Sequence, residues 1–342
     1  MSYLFYVTIF LLSYLLTGLI RYYAIRYLMD NPNERSSHTR PTPRGGGMAI
    51  VVTFYLGLIF LSEIKCCDRE TWIMLGAVPI IMTSWLDDHR HVPVLYRLGV
   101  QAMGALWIIH FGMGDLLEYY AGQSPVLTVL LASLSMLVIV WIINLYNFMD
   151  GIDALAGLEF CTIAIAVLFT LVIVNRIHPG GAENTIAFVL LALTSTLGFL
   201  PINWPPARIF MGDVGSNFLG YLLAVMAIHT IQQHQLGLST WLILPAVFWV
   251  DASVTLARRL IRGQPFYQAH RTHAYQHAAR FFDSHKKVSL GIALINVFYL
   301  MPLALFSEIY KHLQVIFICL AYMPLIYLVF YFKAGLVAEK EA

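Results

Sequence analysis

The sequence predicts an all-α polytopic membrane protein of about eleven transmembrane helices, with its N-terminus outside and its C-terminus in the cytoplasm. Three observations carry that expectation. Of 342 residues, 59% are hydrophobic and only 12% charged, with a mean hydropathy of +0.71; a soluble domain carries about 25% charged residues. Eleven apolar stretches approach the roughly 20 residues that cross a bilayer. The basic residues are also unevenly shared between the two faces that eleven spans define, 17 Lys and Arg on one and four on the other. By the positive-inside rule the richer face is cytoplasmic.

The expected spans are 3–26, 46–63, 71–86, 97–112, 125–143, 154–175, 183–201, 213–232, 239–260, 288–307 and 312–332. The first is apolar from Tyr3 to Ile20, and its first charges, Arg21 and Arg26, follow the apolar run. A cleaved signal peptide has the opposite order, so an uncleaved helix is expected. Spans 71–86 and 97–112 are short. Pro79, Pro245, Pro302 and Pro324 fall inside spans, where neighbouring helices can satisfy the freed carbonyls. The sparse Lys and Arg of the outer face are Lys65, Arg69, Arg176 and Lys311, and its acids, including Glu70, Asp115 and Glu308, are scattered singly as solvated loop charges would be.

A net charge of +2 excludes the concentrated basic face of a nucleic-acid-binding protein. Four cysteines give no disulfide framework: Cys66 and Cys67 are adjacent in an outer loop, a poor spacing for zinc, and Cys161 and Cys319 read as packing residues.

The polar chemistry gathers on the basic face. Between two apolar runs lies Asn144-Leu-Tyr-Asn147-Phe-Met-Asp150-Gly-Ile-Asp153. If helical, the three-residue spacing sets two amides and two carboxylates along one stripe. Carboxylates beside lipid are costly unless they meet water or a ligand; the bland alternative is a polar helix end. A second motif, Trp85-Leu-Asp87-Asp88-His-Arg-His, puts two carboxylates side by side, so that a cation or proton is needed between them and one can serve as a base. A solvated turn would use the same residues. In the first cytoplasmic loop Arg40 and Arg44 flank Pro41 and Pro43 ahead of Gly45-Gly-Gly. Such a stretch can offer arginines and backbone N–H groups to a phosphate, or simply touch lipid headgroups. Phe210-Met-Gly-Asp213-Val-Gly215 opens a span, where Asp213 can hold Mg²⁺ together with phosphate oxygens or act as an N-cap. Last, His270-Arg271-Thr-His273-Ala-Tyr-Gln-His277 places three histidines on one face if helical, with an arginine that suits phosphate better than zinc. Asp251, mid-span in Phe248-Trp-Val-Asp-Ala-Ser, stands apart; a buried acid bonded to an adjacent helix or to a histidine accounts for it.

Taken in order, these motifs resemble those of the polyprenyl-phosphate N-acetylhexosamine-1-phosphate transferases, glycosyltransferase family 4. The Asp-Asp pair, the Asn-x-x-Asn-x-x-Asp-Gly-x-Asp stretch and Phe-Met-Gly-Asp-x-Gly-Ser carry the resemblance, from about residue 30 to 280. His270-Arg271-Thr272-His273 is similar to the branch that initiates O-antigen or common-antigen chains; the peptidoglycan translocase has three consecutive histidines there. The resemblance implies one membrane domain over residues 1–342, with the site built by loops 27–45, 87–97, 144–153, 202–213 and 258–287. It implies transfer of a sugar 1-phosphate from a UDP-N-acetylhexosamine (UDP-GlcNAc, or a 6-deoxy relative such as UDP-FucNAc or UDP-QuiNAc) to undecaprenyl phosphate, releasing UMP. The setting is a bacterial inner membrane with the site on its cytoplasmic face. Mg²⁺ is the implied cofactor, with Mn²⁺ able to replace it, and a homodimer is compatible with the family.

By the same resemblance Asp87 is the base toward the lipid phosphate, Asp88 assists or approaches the metal, and Asp213 is the metal ligand. Asp150 is catalytic. Asn144, Asn147 and Asp153 bind nucleotide, Phe210 stacks on uracil, and His270, Arg271 and His273 bind phosphate or sugar. Arg40 and Arg44 lie near the uridine. Direct attack by the lipid phosphate is favoured over a phospho-aspartate, because that nucleophile is good once deprotonated. Two rivals follow: a phospho-MurNAc-pentapeptide translocase, and, from another class, a transporter or lipid flippase with the acids as an ion relay. Relay acids lie near the midplane, whereas these collect at span ends.

Overall fold

The computed structural model describes residues 3–32, 40–64, 67–177, 180–264 and 270–336. It is a bundle of helices: α1 (Tyr3–Tyr27), α2 (Gly47–Glu63), α3 (Asp68–Met74), α4 (Val78–His89), α5 (Val94–Ala121), α6 (Pro125–Met149), α7 (Leu155–Ile177), α8 (Glu183–Asn203), α9 (Gly212–Gln232), α10 (Leu238–Ile243), α11 (Ala246–Ile261), α12 (Ala274–Phe281), α13 (His285–Ile295), α14 (Met301–Ile309) and α15 (Gln314–Tyr331). Among the described residues the exception to the all-α expectation is an antiparallel ribbon of two two-residue strands, β1 (Met29–Asp30) with β2 (Thr42–Pro43), which joins the two ends of the first loop.

Eight helical segments among the described residues are long and apolar enough to cross a membrane, and α2, at 17 residues, is a shorter apolar helix. The expected spans 71–86 and 239–260 are not single α-helices. The first is α3 and α4 joined by a 3-10 turn over Leu75–Ala77, and the second is split ahead of Pro245 into α10 and α11. Length and apolarity therefore do not reproduce the count of eleven. The helix over the expected span 97–112 is longer than expected, α5 running for 28 residues.

Helix α9 is the centre. In its most apolar window 83% of residues are buried, against 17% for α6, which faces outward along most of its length. Glycine allows the close contacts. A Cβ on Gly220 would lie 2.8 Å from Ile143 Cα of α6, and one on Gly47 would lie 2.3 Å from Gly215 Cα, so α2, α6 and α9 meet backbone to backbone. The C-terminal ends of α1, α4, α6 and α8 and the N-terminal ends of α2, α5, α7 and α9 share one end of the bundle, and every polar motif lies there.

At the other end two acids expected to be solvated are buried. Glu70 is 3.1 Å from His229 Nε2, and Glu308 accepts from Gly237 N at 2.6 Å and from Thr240 Oγ1. Each has donors to offset its burial, which single-residue loop positions do not announce. Cys161 is buried as expected, Cys319 is exposed on α15, and Cys66 lies outside the described residues.

Candidate active site

The acid cluster is assembled by the Gly45–Gly47 turn. Gly46 N donates to Phe210 O and Gly47 N to Met211 O, both at 2.9 Å, and Phe210 N donates to Pro43 O at 2.8 Å. The first loop is thereby zipped to the loop before α9. This corrects one expectation: these glycine N–H groups are spent on the neighbouring backbone rather than offered to an anion. Gly212, at φ +77°, completes the junction; a Cβ there would lie 2.9 Å from Gly45 N and 3.0 Å from Asp88 Oδ2.

Three of the predicted acids meet at that junction. Asp88, at the end of α4, accepts from Asp213 N at 3.3 Å, and its Oδ1 is 3.6 Å from Arg44 Nε. Arg44 also donates to Asp88 O at 2.6 Å, so Arg44 serves the acid cluster, while Arg40 lines the cavity described below. Asp87 Oδ1 accepts from Val92 N at 2.7 Å and its Oδ2 is 2.5 Å from Arg97 Nη1; the same Nη1 is 3.5 Å from Asp213 Oδ2. Asn147 donates to Asp213 Oδ1 at 3.0 Å and to Ser216 Oγ at 3.1 Å. Arg97, 28% exposed, is thus shared between two carboxylates at the mouth of the cluster. No motif marks it; in the sequence it is a single cation at the first position of the expected span 97–112.

The expected polar stripe does not persist. Helix α6 ends at Met149, with Asp150 as its C-cap and Gly151 following. Gly151 must remain small, because a Cβ there would be 2.1 Å from Tyr275 Oη. Asn144 and Asn147 stay on α6 with different partners, and the turn takes Asp150 and Asp153 off the helix. Asn144 donates to Gln101 Oε1 at 2.6 Å, inside the bundle, and only Asn147 reaches Asp213. Asp153 accepts from Ala207 N at 3.0 Å and pairs with His285 Nδ1 at 3.2 Å. Asn203 ties this turn down, accepting from Ala154 N and donating to Ile209 O.

Electrostatics distinguishes the acids. Burial pushes the Asp88 carboxyl up to about 6 against the pull of Arg44, and Asp88 Oδ2 is buried with no hydrogen-bond partner. Burial, then the charges of Asp213, Asp88 and Asp153, holds Asp150 well above the usual carboxylate range. A cluster that resists ionisation in this way favours a cation among its oxygens. Among the described residues no three His, Cys, Asp or Glu side chains are arranged to enclose a metal. Mg²⁺ does not require that, since one or two carboxylates, phosphate oxygens and waters complete its shell. The all-oxygen pair Asp88 and Asp213, with Oδ2 of Asp88 unmatched, fits Mg²⁺ in that mode.

Beside the acids opens a cavity of about 900 Å³ lined by Arg21, Arg40, Arg208, Arg271 and Arg280, with Phe210 and Asp153 on its wall. Its size lies at the upper end for small-molecule sites. Arg21, Arg208, Arg280 and His285 were missed by motif reading, because they come from four separate segments. Arg280 donates to Arg271 O at 3.1 Å and Arg21 to Arg208 O at 3.0 Å.

The histidines are not on one helical face. Helix α12 begins at Ala274 with His273 as N-cap, so His270 precedes the helix. His273 is buried with Nδ1 3.2 Å from Asp251 Oδ1, and His270 stacks on it at 4.9 Å between ring centroids. Burial, then His273 and Arg259, pushes His270 down to about 3, leaving its ring neutral at neutral pH. Arg271 and Arg280 bring permanent positive charge from this segment to the cavity wall.

Comparison with known proteins places this chain in a family. Residues 71–231 match the model of glycosyl transferase family 4. The chain is 30% identical over 343 residues to a probable undecaprenyl-phosphate N-acetylglucosaminyl 1-phosphate transferase of Bacillus subtilis, covering 95% of this chain and 90% of that protein. It is 31% identical over 320 residues to the decaprenyl-phosphate N-acetylglucosaminephosphotransferase of Mycobacterium tuberculosis, covering 83% and 77%. A phospho-N-acetylmuramoyl-pentapeptide-transferase of Chlorobium luteolum is more distant, 27% identical over 244 residues, covering 62% and 65%. With a relative 30% identical along nearly the whole of both chains, this membrane protein belongs to glycosyl transferase family 4.

Proposed function

We propose that the protein transfers N-acetylglucosamine 1-phosphate from UDP-GlcNAc to a polyprenyl phosphate such as undecaprenyl phosphate, releasing UMP. This would be the first membrane step of an envelope polysaccharide, an O-antigen or a related chain, on the cytoplasmic face of a bacterial inner membrane. The observation that carries the reading is the juxtaposition of two sites of opposite charge: the acid cluster of Asp87, Asp88 and Asp213, and the arginine-lined cavity next to it. A nucleotide diphosphate suits the second, and its transferring phosphate would reach the first. The names of the relatives support GlcNAc over the 6-deoxy sugars and over the muramyl-pentapeptide donor.

Mg²⁺, or Mn²⁺ in its place, would be held by Asp213 and Asp88 and would supply charge neutralisation at the pyrophosphate. The chain's own residues do the rest. Asn147 holds Asp213 in orientation. Arg97 binds the incoming lipid phosphate and in doing so gives up its pair with Asp87. Asp87 Oδ2 is then free to accept the phosphate proton at the place Arg97 occupied. Phe210 and the arginines hold uridine and diphosphate, so that the lipid phosphate oxygen attacks the sugar-linked phosphorus and UMP leaves.

The test is UMP release and labelled lipid formation by purified protein with UDP-[³H]GlcNAc, undecaprenyl phosphate and MgCl₂. Metal-dependent product is expected, with Asp213→Ala lowering turnover at least about 10³-fold. If no UDP-N-acetylhexosamine yields UMP, the transferase reading fails and a transporter becomes the better account.

A further inference from the structure

Asp251 lies on α11, is buried, and takes its hydrogen bonds from Thr255 and the start of α12. Its carboxylate is fully engaged. Oδ1 accepts from Ala274 N at 2.9 Å and Thr255 Oγ1 at 3.0 Å and lies 3.2 Å from His273 Nδ1; Oδ2 accepts from Tyr275 N at 2.9 Å. Three of these partners belong to the first residues of α12 or its N-cap. A helix of eight residues does not hold its own shape in water, so the anchor at its start decides where it sits.

What α12 carries explains why its position matters. Gln276, Ala279 and Arg280 line the arginine-rich cavity, and Arg280 holds the Arg271 carbonyl. On another side Tyr275 Oη donates to Phe148 O at 3.0 Å and packs over Gly151, against the turn that bears Asp150. Asp251 is thus behind α12, the cavity is in front of it, and the Asp150 turn is beside it.

We propose that Asp251 is a positioning residue: by gripping the start of α12 it sets the cavity wall and the Asp150 turn, without touching substrate. The inference rests on the assignment of the cavity to the nucleotide-sugar donor. A carboxylate is required because both of its oxygens accept backbone N–H groups. An amide of the same shape would turn an NH₂ toward either Ala274 N–H or Tyr275 N–H, donor against donor.

The experiment compares full-length wild type with Asp251→Asn, Asp251→Glu and Tyr275→Phe, by steady-state kinetics for both substrates and by hydrogen exchange over residues 270–281. For Asp251→Asn, exchange at the α12 start should quicken and the donor KM rise about tenfold, with the lipid-phosphate KM within about twofold of wild type. Asp251→Glu should recover part of the donor KM. Tyr275→Phe, which releases the Phe148 carbonyl and leaves the Asp251 grip on the backbone intact, should lower kcat several-fold with donor KM changed less than in Asp251→Asn. Unaltered exchange in Asp251→Asn, or equal rises in both KM values, overturns the proposal. Hydrogen exchange requires no turnover. A wild type inactive with every UDP-sugar would therefore sink the functional assignment, whereas slow exchange in Asp251→Asn would sink the role of Asp251.

Discussion

Burial raises the Asp88 carboxyl to about 6, so on either side of that value the folded chain behaves differently. Between the ordinary carboxylate value and about 6, the folded state holds a proton that the unfolded state has released, and stability falls as pH rises through this window. Above it Asp88 is ionised in both states, and the folded protein bears the cost of a buried anion. A divalent cation offsets that cost only where the anion exists. MgCl₂ should therefore raise Tm by several degrees near pH 7.5 and by little near pH 5, and Asp88→Asn should remove the difference. Equal shifts at both pH values in a melting experiment would count against metal at Asp88. Gly212 makes a second prediction at this scale. At φ +77°, with a Cβ directed 3.0 Å from Asp88 Oδ2, Gly212→Ala should cost about 1–3 kcal/mol and block the same cradle. Loss of activity with a lowered Tm is expected, and an active, equally stable variant would refute the close approach. The motif Phe-Met-Gly-Asp points to this spot through Asp213, but nothing in it marks Gly212 as the meeting point of two loops.

Between elements, α7 and the segment after α13 hold a pair that the apolar pattern concealed. Glu159 is buried one turn into α7, and Asn296 donates to it at 2.5 Å and to Thr162 Oγ1 at 2.8 Å. Asn296 opens a π-helical turn, Asn296–Leu300, which turns the amide toward the acid. Asn296→Leu strands the acid without its donor and should destabilise by about 1–3 kcal/mol, whereas Glu159→Gln keeps a polar pair and should cost less. Thermal melts in detergent that rank the two the other way would refute the pairing. A single glutamate in a mostly apolar helix of 23 residues leaves the stretch apolar enough to read as a span. The helical reading of the polar stripe holds for Asn144 and Asn147 and fails beyond them: α6 ends at Met149, where Gly151 meets Tyr275.

For the whole molecule, the proposed cytoplasmic placement of the motif-bearing face rests on the asymmetry of 17 basic residues against four. With the native cysteines replaced, a cysteine at exposed Asp115 should react with an impermeant maleimide in intact cells, and one at exposed Lys286 only after permeabilisation. The reverse pattern would invert the orientation and remove the cytosolic nucleotide from reach of the site.

Composition and apolar runs determined that this chain is a helical membrane protein, and motif order marked Asp87, Asp88, Asn147 and Asp213 as neighbours in function. Both follow from local chemistry: a bilayer rejects charge wherever it occurs, and a polar residue at a span end is visible in one dimension. Only the tertiary structure decided which groups share a site. It paired Arg97 with Asp87, withdrew Asn144 into the bundle, occupied Asp153 with His285, and drew five arginines from scattered segments into one wall. Those outcomes depend on distances across helices, set by how closely glycine lets α2 and α9 approach, and no spacing along the chain encodes such a distance.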